Sequence, residues 1–125
     1  MNILVLDYET FYDVGFSLTK MSTAAYVNDK QFSVWGVGIK WNDEPTEWIS
    51  AEDIPHMFEQ IPWDETALVC HNTLFDAYIL TQHYGYNAKY YYDTAAMSRG
   101  LYPNESARLK DVCERLFPDD KTMRK

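Results

Sequence analysis

Leu6-Asp7-Tyr8-Glu9 sets two carboxylates two residues apart at the end of an apolar run over 1–6. In an extended chain, positions i and i+2 project to the same side, so Asp7 and Glu9 can aim at one point beyond a sheet edge. Hard divalent cations such as Mg²⁺ or Mn²⁺ are held in this way, by a few oxygen ligands with water completing the shell. The second stretch is His71-Asn72-Thr73-Leu74-Phe75-Asp76. Asp76 falls in the first turn of a predicted helix, where the helix dipole favours a carboxylate. It also follows a predicted buried strand, and ligands of open α/β sheets sit beyond the carboxyl ends of strands. If the strands ending at Leu6 and Cys70 are parallel neighbours, Asp76 faces Asp7 and Glu9. Bound metal ions would then offset the repulsion among three carboxylates.

The elements that must position these groups follow from periodicity. Residues 1–6 and 66–70 are short apolar runs that read as buried strands. Residues 8–30 read as a loop with one short helix over 18–26. Over 32–41, Trp35, Val37, Ile39 and Trp41 share one face while Gly36 and Gly38 thin the other, so something packs closely there. The cluster Asn42-Asp43-Glu44-Pro45 turns the chain into a return strand over 46–49. A helix over 50–60 starts at Ser50 as N-cap and ends before Pro62. Residues 74–84 form a helix with Leu74, Phe75, Tyr78 and Ile79 inward, stopped by Gly85. A short edge strand over 89–92 precedes Asp93-Thr94, with Asp93 as the cap of a helix through residue 101. The last helix spans 106–117, with Leu109, Val112, Cys113 and Leu116 on one face and Asp111 solvated. A basic stub over 121–125 closes the chain. Strands alternating with helices after an initial meander make the class α/β with a mixed sheet.

The chain has 125 residues, enough for one domain over 1–125. Hydrophobic residues at 46% and charged residues at 24% exclude a disordered chain. No apolar run reaches membrane-spanning length, and two cysteines cannot build a disulfide framework, so the expected setting is cytoplasmic, with no membrane partner. The net charge of −8 is the wrong sign for a protein that holds nucleic acid by its own basic surface. Divalent metals could supply the missing positive charge, or a partner polypeptide could. Aromatic residues make up 16%, and most are expected in the core. Cys70 and Cys113 read as buried thiols, because Cys70, His71 and Cys113 lack the short spacing of a zinc site. His56 and His83 read as surface residues.

Asp7-x-Glu9 within Leu-Val-Leu-Asp-Tyr-Glu-Thr resembles the first motif of the DEDD-superfamily 3′–5′ exonucleases, and Asn72-x-x-Phe75-Asp76 resembles the second. The likeness is strongest to the N-terminal proofreading domain of phage-type family A DNA polymerases. Asp93-Thr94 and the helix over 106–117 fit the segment that follows in that family. The resemblance implies a ribonuclease H-like mixed sheet with flanking helices. It also implies two-metal hydrolysis at DNA 3′ ends, with two Mg²⁺ or Mn²⁺ ions: Asp7 bridging both, Glu9 binding one and Asp76 the other. Thr10 and Phe11 would contact the terminal nucleotide, with Asn72 and Phe75 supporting the site.

The family's third motif, Tyr-x-x-x-Asp, has no counterpart: Tyr90 meets Thr94, Tyr92 meets Ala96 and Tyr102 meets Ser106. The expectation is therefore a C-terminally incomplete site, weak or inactive alone, since a water-orienting group contributes about 10²–10⁴-fold. Expected partners are a single-stranded DNA 3′ end, a polymerase or complementing chain, and a second copy of this chain. A non-catalytic polymerase subunit or interaction module of the same fold is the alternative.

Overall fold

The computed structural model describes residues 1–120; the predicted basic stub lies outside the described residues. Five strands form one sheet in the order β3-β2-β1-β4-β5. They are β1 (Asn2–Thr10), β2 (Val34–Trp41), β3 (Glu47–Ser50), β4 (Thr66–Cys70) and β5 (Tyr90–Asp93). β2 pairs antiparallel with β1 and β3, while β4 pairs parallel with β1 and β5. The α/β class with a mixed sheet and flanking helices is the fold observed. Parallel strands need a crossover, and α3 (Thr73–Tyr78) supplies it between β4 and β5. The carboxyl ends of β1, β4 and β5 therefore share one end of the sheet.

Leu4, Leu6 and Tyr8 of β1 point into the core, while Ile3, Val5, Asp7 and Glu9 lie on the opposite, exposed face. The core unites these β1 residues with Phe16, Tyr26, Phe58, Leu68, Ile79 and Leu80. Much of the aromatic content is spent there: Phe58 meets Trp63, Tyr84 and Tyr86 edge-on.

Several predicted boundaries move, each for a local reason. The first helix is α1 (Thr23–Asn28), not 18–26, because the Ser22 side chain caps it by accepting from the Ala25 N–H. A 3₁₀ turn over Ala51–Asp53 precedes α2 (Ile54–Glu59), and Ser50 makes no capping bond. Pro55 lacks a donor N–H and fits only a first helical turn, so the α-helix starts afresh there. α3 continues into a π turn over Ile79–His83, whose extra residue per turn lets Ile79 and Leu80 both enter the core. Asp76, Ile79 and Leu80 take the buried face of this helix, so Leu74, expected inward, is exposed. Gly85 sits at φ +80°, the left-handed stop the sequence predicts.

α4 (Thr94–Leu101) is capped by Asp93 as expected. α5 (Leu109–Leu116) begins later than 106, because the Ser106 hydroxyl accepts from the Arg108 N–H in a turn before the helix. Asp111 lies in its first turn, half-buried rather than solvated. Cys113 is buried, whereas Leu109 and Leu116 stay exposed.

Trp35 is the other correction. The register between β1 and β2 slips between Glu9 and Thr10, which pair with Gly36 and Val34. Trp35 is the unpaired extra residue of a bulge. The bulge keeps Val34 in the core and leaves Trp35 outside, 53% exposed.

Candidate metal centre

β1 outruns β4. Their pairing ends at Val5↔Val69, whereas β1 continues to Thr10. From Leu6 onward, the β1 edge facing β4 is open, and α3 fills the gap. Asp76, on the buried side of α3, lies against the Tyr8 backbone N–H and beside Asp7. Two carboxylates from positions 69 residues apart thus come within electrostatic reach near the end of the sheet that the parallel strands share. Asp7 is on the exposed face and Asp76 on the core side, close enough for the Asp7 charge to raise its carboxyl. Glu9 shares the face of Asp7. Among the described residues no three His, Cys, Asp or Glu side chains are gathered into a cage for a metal ion.

Asp76 is 4% exposed, and its Oδ1 has no hydrogen-bond partner. Burial, opposed by the Tyr8 N–H and reinforced by the Asp7 charge, pushes its carboxyl up to about 8. The Tyr8 hydroxyl is also buried without a partner, and burial pushes it well up. Burial and the neighbouring Asp76 raise the Cys70 thiol, so this sulfur stays protonated.

Asp93 ties the surrounding loops. Its Oδ1 accepts from the N–H groups of Asn72 (3.0 Å), Ala95 (2.9 Å) and Ala96 (3.2 Å), and its Oδ2 from Thr73 (3.1 Å). Partial burial alone would raise this carboxyl, but the four N–H groups together hold it below its ordinary value. One side chain thereby caps α4 and anchors the start of α3, which carries Asp76. Asn72 takes the left-handed conformation (φ 75°) that Asn tolerates. The ring nitrogens of His71 are both engaged, with Thr94 Oγ1 (2.8 Å) and the Ala107 carbonyl (2.6 Å). His71 therefore has no lone pair directed at Cys70 or Cys113 for a shared zinc.

The other expected site residues meet at Tyr26, which sequence reasoning did not single out. Its hydroxyl donates to the Phe11 carbonyl and accepts from Thr10 Oγ1 (2.9 Å). Its ring lies 6.2 Å from that of Phe75 and 4.6 Å from that of Phe16. Tyr26 thus joins the segment after Glu9 to the base of α3. An aromatic in the capped stretch Ser22-Thr23-Ala24-Ala25-Tyr26 was the only available signal.

The exposed face is kept clear beside Asp7 but not beside Glu9. Asp7 pairs with Gly38 and Glu9 with Gly36. A Cβ on Gly36 would fall 2.2 Å from Trp48 Cζ2 and 2.7 Å from the Ile49 carbonyl, so the close packing expected at this glycine is that of the Trp48 indole. A Cβ on Gly38 would meet nothing nearer than the Asp7 carbonyl at 3.8 Å, so the space next to Asp7 stays open. On the β4 side, a cleft of about 390 Å³ is walled by Val5, Asp7, Val69, His71, Thr94 and Leu109.

No protein-family model and no curated protein sequence matches the chain. Solved structures do. Brucella melitensis NrnC bound to pGG superposes with a TM-score of 0.65 at 16% identity, covering 93% of this chain and 52% of that one. NrnC with bound Mg²⁺ gives 0.64 at 18% identity, covering 93% and 53%. A structure described as the apo form of a nuclease gives 0.64 at 17%, covering 94% and 53%. At such identity the likeness establishes the fold, the ribonuclease H-like sheet that the motif resemblance implies. The chain spans about half the length of these structures. Among the described residues no helix is long and apolar enough to cross a membrane.

Proposed function

We propose that the chain is a divalent-metal-dependent nuclease domain of the 3′–5′ exonuclease type, acting on single-stranded DNA ends. The observation that carries this reading is Asp76 Oδ1, buried without a partner beside Asp7. Leaving such an atom unsatisfied costs about 1–3 kcal/mol. A cation would satisfy it and displace the proton that burial holds on this carboxyl at neutral pH. The donors fit Mg²⁺ or Mn²⁺: carboxylate oxygens only, next to an open cleft. Mg²⁺ keeps several waters and takes one or two carboxylates with substrate phosphates, so a ready-made cage of three ligands is not required. The Mg²⁺ and the pGG in the two NrnC structures support the same class of ligand and substrate here.

Asp7 would hold both ions of a two-metal site, with Glu9 and Asp76 completing one each. Such ions, when bound, lower the pKa of the attacking water and stabilise the leaving 3′ oxygen. The chain's own residues do the positioning. Asp93 fixes the turn before α3 and hence Asp76. Tyr26 fixes Thr10 and Phe11 beside the carboxylates, where the terminal nucleotide would rest. Phe75 packs behind the site against Tyr26. Asn72 stands in the left-handed turn at the mouth of the second cleft.

Within this class the motif resemblance favours proofreading for a DNA polymerase carried on another chain or another part of a longer protein. Incubation of this chain alone with Mg²⁺ and a 5′-labelled single strand should give weak shortening from the 3′ end, and addition of a chain carrying the Tyr-x-x-x-Asp helix should turn it into a strong ladder of products. Asp7→Ala should abolish it, and cleavage that survives this change would remove the metal assignment. One observation favours the alternative of a docking module without catalysis: Ile3, Val5, Leu109, Leu116 and Phe117 are all exposed. A folded chain with no Mg²⁺-dependent cleavage, alone or with its polymerase, would support that reading.

A further inference from the structure

An acidic chain that holds a nucleic-acid strand needs something to meet the phosphates beyond its metals. The structure gathers two arginines where this is needed. A second cleft, of about 530 Å³, shares His71 as a wall with the first. It is lined by Asn72, Arg99, Glu105, Ala107 and Arg108 among others. Arg99 comes from the last turn of α4 and Arg108 from the N-cap of α5, so two elements converge on one opening.

Neither guanidinium has an ion pair or hydrogen bond among the described residues. The nearby carboxylates are otherwise committed. Glu105 pairs with Arg115 at 2.5 Å, and Asp93 accepts four backbone N–H groups. Asp111, one turn beyond Arg108, makes no salt bridge with it. Arg108 also stands where a cation is unfavourable, at the positive end of a helix dipole, and it makes no side-chain cap. Among the described residues no ion pair or side-chain hydrogen bond accounts for an arginine there. A ligand bearing phosphates does, because the planar guanidinium fork matches phosphate oxygens.

The geometry points to this cleft as the seat of the phosphodiester backbone of a single strand whose end lies at Asp7 and Asp76, with Arg99 and Arg108 each meeting one phosphate. The inference rests on the nuclease reading and names how the same site holds its strand. His71, fixed through both ring nitrogens, is the rigid wall between the cleavage end and the backbone track.

The test is the salt dependence of binding. A short 5′-labelled single strand is titrated with the protein by fluorescence anisotropy, with Ca²⁺ present, over a range of NaCl concentrations. For Arg99→Ala with Arg108→Ala, the slope of log affinity against log salt should become shallower by about 1.4, from two contacts at roughly 0.7 each. Affinity at low salt should fall by about tenfold. Arg99→Lys with Arg108→Lys keeps both charges and should keep the wild-type slope. Loss of slope there as well would trace the effect to the fold and overturn the proposal. An unchanged slope in the double-alanine variant would also overturn it, and if Asp7→Ala still abolished cleavage, the nuclease reading would stand without this cleft. A wild-type chain that neither binds nor cleaves the strand would sink both.

Discussion

Asp76 bears the cost of the site. A carboxyl buried beside Asp7, with one oxygen unsatisfied, must take up a proton on folding at neutral pH, and this destabilises the fold until a cation replaces it. Asp76→Asn, nearly the same size and uncharged, should therefore raise the stability of the metal-free protein at neutral pH by about 1–3 kcal/mol. It should also abolish any gain in melting temperature on adding Mg²⁺. A thermal shift with and without Mg²⁺ checks both. Asp93 behaves in the opposite way. Its folded carboxyl lies below the ordinary 3.8, so it stabilises the fold above that value and loses this as pH falls through the lower folded value. Asp93→Ala should cost about 1–2 kcal/mol at neutral pH, as a lost helix cap does. Asp93→Asn, which can still cap, should lose less stability than wild type on acidification below pH 4, measured by urea unfolding across pH. Both aspartates were legible as residues worth singling out. Their opposite electrostatics were not, because these depend on how many N–H groups each carboxylate meets in space.

At the scale of elements, the sheet was the most readable part. β4 appears at its predicted bounds, because a continuous apolar run flanked by turn residues has few other solutions. The glycine pair of β2 announced a close neighbour: Trp48 is that neighbour at Gly36, while Gly38 faces open space. Their alternation misled only at Trp35, since a bulge inverts the side-chain period without a composition signal. Helix starts were less readable where Pro55 and Ser106 reset the chain. Gly36→Ala should destabilise by about 1–3 kcal/mol, as overpacking does. Adding Trp48→Ala should restore only part of that loss, because the Ile49 carbonyl, 2.7 Å from the new Cβ, cannot withdraw as a side chain can. Urea midpoints of the single and double variants measure the partition.

For the whole molecule, topology does what neither motif can do alone. Placing β4 parallel to β1, and ending it early, opens the edge of β1 to α3 and brings position 76 to position 7. The motif pair carried that expectation. The arginine-lined cleft was not readable in the sequence, because it depends on how loops and chain segments close around a sheet end. A nuclease built on this sheet end requires Asp7 and Asp76 to hold a divalent cation together. Titration of the protein with Mn²⁺, followed by the loss of the free-ion electron paramagnetic resonance signal, measures this directly. Wild type should take up Mn²⁺, and Asp7→Asn and Asp76→Asn should each weaken uptake strongly while remaining folded. Equal uptake by all three proteins, or none by the wild type, would contradict the account.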